Sequence, residues 1–243
     1  MTERRASRTA VTVCQARAVA HGRTAPGRFA DPTAMPLLRA EEQTLVQRVR
    51  DGQPPKGMTE RFPYEMVRGA AEIIVPRTVG IDDAARAGAA TQVVILGAGL
   101  DGRAWRLDVP GATFFEVDHP ASQAEKRDRA TELTGTPPTY VPVDFAHDVL
   151  TDALEAAGHR ADQPTTWIWE GVVPYLTREE VAATVASVAA RSAWSVKAMS
   201  RLLALHGFAV RSDQDLLEIA DDLGVRLGQR TSMRSGRVAV AER

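Results

Sequence analysis

Four segments of this chain carry residues that could together do chemistry on a nucleoside. The first, VVILGAGLDG over 93–102, runs from an apolar strand pattern through Gly97, Gly99 and Gly102 into a helix start. Glycine at such a bend lets the backbone approach a ligand and adopt dihedrals closed to other residues. The same spacing fits the pyrophosphate fingerprint of a dinucleotide fold and also a plain tight turn. Asp101 inside the bend argues against pyrophosphate, whose charge it would crowd. About twenty residues further on, Asp118 closes TFFEVD, where a carboxylate can accept hydrogen bonds from both ribose hydroxyls or cap a helix ahead of Pro120. Strand alternation puts Glu116 on the same face, so only Asp118, nearer the strand end, should reach a ligand. Asp144 in VPVDF, beside Phe145, could receive an exocyclic adenine amine, and by itself reads equally as an ordinary strand-ending carboxylate. Glu170, between Trp169 and Gly171, would be partly buried and would need a cation, for which a ligand amino group would serve.

The elements that must position these residues follow from hydropathy. Short apolar runs at 92–97, 113–118, 139–144 and 166–171 alternate with amphipathic stretches near 120–133, 148–157 and 177–190, the mark of parallel strands joined by crossover helices. Thr177 and Glu180 have the spacing of a capping box, followed by Val181, Val185 and Val188 on one side. Upstream, a helix over about 64–75 should end at Pro76, leaving Arg77 just past its end, and a second piece should run from 79 to 87. The first sixty residues read as an irregular arm broken by Gly and Pro, with one helix near 41–50, and residues 61–243 as the domain it covers. In the tail, a helix near 196–206, a strand beginning in GFAV at 207–210, a helix capped by Asp213 and a final strand at 237–242 are expected.

Composition limits the partners. The chain has 243 residues, 44% of them hydrophobic, and a formal charge of −1, which suits one sizeable core and offers no chain-wide attraction to nucleic acid or an anionic membrane. A small molecule is the expected partner. Cys14 is the sole cysteine, which removes an internal disulfide and thiolate metal sites, and the five histidines lack metal-ligand spacing. A cytoplasmic location is the expectation, since no apolar stretch has the length of a membrane span or the form of a secretory signal. Arg4, Arg5, Arg8 and Arg17 read as a solvated arm.

With those residues in view, ILGAGLDGRAWRL, FFEVDHP, YVPVDF and WEGVVPYLT resemble the successive motifs of the leucine carboxyl methyltransferase family, including bacterial polyketide O-methyltransferases. SRTA at 7–10, FADPTA at 29–34 and VPRT at 75–78 resemble its opening motifs. The resemblance implies a class I methyltransferase, an α/β doubly wound and mostly parallel sheet, that uses S-adenosylmethionine to methylate an oxygen, often of a carboxylate, on a small metabolite or polyketide. It implies that Arg77 pairs with the methionine carboxylate, that Gly97, Gly99 and Asp101 line the methionine and ribose side, and that Asp118 holds the ribose. Asp144 and Phe145 would then meet the adenine, Glu170 the amino group, and Tyr175 would point into the acceptor site, unless it merely packs on Pro174; Arg77 and Tyr175 would be the catalytic pair, orienting a carboxylate acceptor by hydrogen bonds. No metal is implied, and in the family the N-terminal arm folds over the cofactor, bringing Arg8 near the acceptor.

One stretch departs from the family pattern. AARSA at 189–193 leads straight into WSVKAMSRLL, which looks like an internal deletion removing a strand and the acceptor lid. An exposed sheet edge would follow, with a homodimer or strand exchange as its remedy. Two other readings stand beside the O-methyltransferase: a shortened cofactor-binding protein without transferase activity, and an NAD(P)-dependent dehydrogenase using the glycine bend and Asp118.

Overall fold

A computed structural model describes residues 7–88, 90–145, 147–171, 183–186, 209–225 and 237–242. The capping pair Thr177 and Glu180, Tyr175, the 196–206 helix and the junction near 193 lie outside them.

β1 (Gln92–Leu96) is buried at every position and lies inside a parallel sheet ordered β3 (Thr139–Pro142), β2 (Thr113–Asp118), β1, β4 (Thr165–Trp169). A strand covered on both faces must be apolar throughout, which QVVIL nearly is. Alternation divides its side chains between two cores. Val94 and Leu96 join Phe115, Val117, Val141 and Trp167 on one face, closed by Leu150 and Leu154 of α6 (Leu150–Ala156). Val93 and Ile95 join Ile168, Leu107 and Ala85 on the other. Helices on both faces of a parallel sheet make the doubly wound α/β arrangement the sequence implies.

Ahead of the sheet the structure corrects two expectations. The arm is not irregular: α1 (Arg8–Ala20) and α2 (Ala40–Arg50) precede α3 (Met58–Ala87), and Cys14, Ala16, Ala18 and Ala20 of α1 are buried against their neighbours. Small residues at alternate positions do not give an amphipathic pattern, so nothing periodic announces α1. Nor does Pro76 end a helix. α3 is continuous over 30 residues, about 45 Å at 1.5 Å per residue, with Pro63 and Pro76 inside it. Each internal proline costs roughly 3 kcal/mol of helix propensity. Against that, α3 buries Val67, Ile74, Val75 and Val79, and burial of such side chains is worth roughly 1.5–3 kcal/mol apiece. Packing wins, so Arg77 sits in mid-helix rather than beyond an end.

Behind the glycine bend comes only a short helix, α4 (Arg103–Arg106), while α5 (Pro120–Arg129) tightens into a 3-10 turn over Ala130–Glu132 instead of running to 133. The tail forms a separate two-stranded antiparallel sheet of β5 (Ala209–Asp215) and β6 (Arg237–Glu242), with α7 (Leu216–Asp222) between them. Asp215, not Asp213, caps α7: its Oδ1 accepts from the N–H groups of Leu217 and Glu218, both at 2.9 Å, and Glu218 answers on the Asp215 N–H at 2.7 Å. Leu216, Ile219 and Val238 pack on Ile73 and Ile81 of α3. A Cβ on Gly80 would lie 2.9 Å from Ile219 Cδ1, so a glycine permits that approach. No helix among the described residues is long and apolar enough to cross a membrane.

Candidate functional site

Strands in parallel all discharge their loops at one edge, and the crevice there is the default ligand position of such a sheet. In this chain the edge holds a cleft of about 210 Å³ beyond β1 and β4, roofed by Thr9, Ala10, Val13 and Arg17 of α1. Arg77, Gly97, Gly99, Asp101, Asp118 and Glu170 all line it. These six come together from α3, the bend after β1, the end of β2 and the end of β4.

The bend turns by Gly97 at φ +65° and Gly99 at φ +48°, a left-handed region that penalises a side chain. Gly97 N donates to Val117 O at 2.8 Å, tying the bend to β2. A Cβ on Gly99 would stand 3.0 Å from the Ala10 Cβ, so α1 closes directly over the glycine backbone. Gly102 has another reason: a Cβ there would fall 1.8 Å from Thr33 Oγ1, so this third glycine makes room for the Asp31–Thr33 loop rather than for a pyrophosphate.

Asp118 Oδ2 accepts the Gly99 N–H at 2.6 Å and Oδ1 the His119 N–H at 2.7 Å, which fixes the carboxylate at the mouth of the cleft. Glu116, on the same strand face, does not line the cleft: it is fully buried and joined to Lys126 Nζ of α5, whose ammonium also donates to Asp101 O at 2.6 Å. Burial pushes the Glu116 carboxyl up to about 7 despite Lys126.

Beneath the cleft lies a chain of buried ion pairs. Arg17 Nε faces Asp31 Oδ2 at 2.8 Å, Asp31 also faces Arg106, and Arg106 bonds Asp82 of α3. Asp82 Oδ1 receives Arg103 Nε at 2.6 Å. Arg103 reaches Glu170 Oε2 from Nη1 at 2.7 Å, and Arg77 Nε donates to Glu170 Oε1 at 2.8 Å. Asp101 does not turn its carboxylate to the cleft: Oδ1 accepts from Arg103 N at 2.7 Å and Oδ2 from Arg103 Nη1. Burial alone would raise both carboxyls. The arginines reverse it, Arg103 foremost, holding Glu170 at about 2 and Asp101 well below the carboxylate range.

Two expected residues stand apart. Asp144 lies at the end of β3 outside the cleft lining, with Oδ2 3.1 Å from His147 Nδ1 and 3.9 Å from His119 Nε2. Phe145 is half-buried against the core of α6. Arg17, read as a solvated arm residue, is instead 4% exposed, and its Nη2 donates to Leu100 O at 2.5 Å. Sequence reasoning also passed over Asp82 and Arg103. A signal exists for Asp82: Thr78, Asp82 and Ala85 follow buried helical spacing, and a charge on such a stripe needs a partner. Among the described residues no group of three or more His, Cys, Asp or Glu could hold a metal ion.

Comparison with known proteins accords with this geometry. The family described as leucine carboxyl methyltransferase matches residues 10–189. A Mycolicibacterium gilvum protein that bears the name of an S-adenosyl-L-methionine-dependent methyltransferase is 36% identical over 192 residues, 76% of this chain and 62% of the relative. A similarly named protein from Mycobacterium sp. strain JLS is 39% identical over 180 residues, 70% of this chain and 58% of its own length. The chain therefore spans about 58–62% of the length of these relatives.

Proposed function

From the premise that the chain belongs to the leucine carboxyl methyltransferase family, we propose that its cleft binds S-adenosylmethionine and that the protein transfers the methyl group to an oxygen of a small metabolite or polyketide, a carboxylate in the first instance. The observation that carries this reading is the charge at the cleft: in the ion-pair chain beneath it Arg17, Arg77, Arg103 and Arg106 cancel Asp31, Asp82, Asp101 and Glu170, which leaves Asp118 as one negative charge in excess. S-adenosylmethionine, with sulfonium, ammonium and carboxylate, is a net monocation and complements it. A dinucleotide, whose pyrophosphate is anionic, would be repelled, which sets the dehydrogenase reading behind.

Each end of the ligand meets a suited group. Glu170 remains ionised through the neutral range and accepts the ammonium, and Arg77, whose Nε is taken by Glu170, offers its other nitrogens to the methionine carboxylate. Asp118 accepts the ribose hydroxyls with the lone pairs its two backbone donors leave free. The enclosed 210 Å³ falls short of the roughly 300 Å³ of an ordinary ligand pocket, so the base would lie beyond it, over Asp144 and Phe145.

A sulfonium supplies the activated leaving group: the acceptor oxygen forms its bond to the methyl carbon as the S–C bond breaks, and the electron pair stays on sulfur. The protein's task is then to hold the acceptor in line and to keep water out. A carboxylate acceptor is ionised at neutral pH and needs no general base, so Tyr175 would orient it by a hydrogen bond, as its family position suggests. Calorimetry with S-adenosylhomocysteine and with NAD tests the cofactor: heat from the first alone is expected, and heat from NAD alone would reverse the reading. A screen of carboxylic and phenolic acceptors with methyl-labelled donor tests the transfer, and binding without transfer to any acceptor would leave a cofactor-binding protein only.

A further inference from the structure

Glu170 faces charged groups from four elements: Arg77 of α3, Arg103 of α4, Asp101 of the bend and Arg17 of α1. Two of them bond it, one on each oxygen. Their freedom differs greatly, because the Arg77 side chain is 26% exposed and that of Arg103 only 1%. Arg103 is also held from behind. Asp82 takes its Nε at 2.6 Å and is itself held by Arg106, while Asp101 takes Nη1 and the backbone N–H. A guanidinium is a planar fork, so with Nε fixed the direction of Nη1 is fixed too. If this buried position were only filler, an apolar side chain would do as well without the desolvation of a charge. What the buried cation achieves is to set the angle of the one carboxylate in the cluster that opens on both the arginines and the cleft.

We infer that Arg103 is a positioning residue for Glu170, set in place by Asp82, so that the carboxylate offered to the amino group of a bound methionine moiety is aimed from α3 and α4 and not by its own strand. The amino group rests on the cofactor reading given above; the aiming of Glu170 is a property of the protein alone. Asp82 lies five residues beyond Arg77 on α3, so a single helix grips both oxygens of Glu170, directly through Arg77 and indirectly through Arg103. Docking of α3 and readiness of the cleft become one event.

The test compares wild type with Arg103→Met, Arg103→Lys and Asp82→Asn; the last keeps shape while removing charge, and serves if Arg103→Met does not fold. In protein carrying ¹³C-labelled glutamate carboxyls and no ligand, the Glu170 resonance should titrate near 2 in wild type and rise by about one to three pH units in Arg103→Met and Asp82→Asn, with Arg103→Lys between. Affinity for S-adenosylhomocysteine at pH 4 should fall by up to about tenfold in Arg103→Met, where Glu170 is protonated in the variant and ionised in wild type, and the deficit should narrow as the pH is raised from 4 to 7. An unmoved Glu170 titration, or an affinity loss of the same factor at every pH, overturns the inference. Wild-type protein that binds no S-adenosylhomocysteine, with the titration shifted as expected, leaves the positioning role standing and removes the cofactor.

Discussion

The two ends of the sheet's carboxyl edge are built on opposite principles. Beyond β1 and β4 the charges beneath the cleft are locked: Arg103, Asp82, Asp101 and Glu170 are almost wholly buried and answer one another in alternating charge. Beyond β3, two strands away, Asp144 is more than a third exposed, with His147 and His119 at 3.1 and 3.9 Å from its Oδ2. Recognition of a charged ligand head can therefore be concentrated at the locked end. Fixed dipoles and ions in a low dielectric discriminate strongly, whereas an exposed carboxylate loses most of its field to water.

The largest expected effect comes from breaking the locked end at its hub. Asp82→Ala leaves Arg103 and Arg106 buried without their shared counter-ion and should cost about 3–5 kcal/mol of stability in urea unfolding at pH 7. A loss below about 1 kcal/mol would mean that water or rearrangement satisfies those arginines. Next, Glu170→Gln keeps shape and removes the anion, and should weaken S-adenosylhomocysteine binding by about 1.5–3 kcal/mol in calorimetry. Stability follows pH at the same residue. Because Glu170 is held near 2, below its ordinary 4.5, its contribution is fully present above pH 4.5 and disappears as pH falls toward 2; the Gln variant should lack that acid-side loss in a series of urea midpoints. Glu116 has the reverse sign. Raised to about 7, it weighs against the fold as pH rises from 4.5 through 7, so Glu116→Gln should flatten the decline over that window. Between the two ends, Asp118→Ala should weaken the ligand by about 1–3 kcal/mol, and unchanged affinity would reduce Asp118 to a brace for the Gly99 and His119 N–H groups. Smallest of all, Asp144→Ala should change affinity by less than about 1 kcal/mol. A larger loss would show the open end to be closed in the complex.

The same contrast accounts for what the sequence disclosed. β2 and β6 were legible to the residue and β1, β3 and β4 nearly so, because a short apolar run bounded by Gly or Asp fits little besides a strand with buried faces, whereas polar β5 was seen only at its start, with a helix expected from Asp213. The glycine bend, Asp118 and Glu170 were legible as strand-end residues. Arg103 was not, because an arginine opening a short helix usually reads as a solvated cation, and its three carboxylate partners are supplied from α3, the bend and the end of β4. Pro76 misled for a related reason: local chemistry ends a helix there, while buried contacts along α3 carry it through. Asp144 looked like its counterparts because a strand ending in aspartate gives no hint of how far the crevice extends.

The contact between Arg17 and the Leu100 carbonyl spans 83 residues of chain. A nascent protein must therefore synthesise α1 long before the bend that it covers exists, and its buried alanines and thiol wait without a surface to join. Closing so wide a loop has an entropic cost that only the finished sheet can offset. Assembly of the roof belongs late in folding, slowed by topology in the way non-local contacts slow other domains.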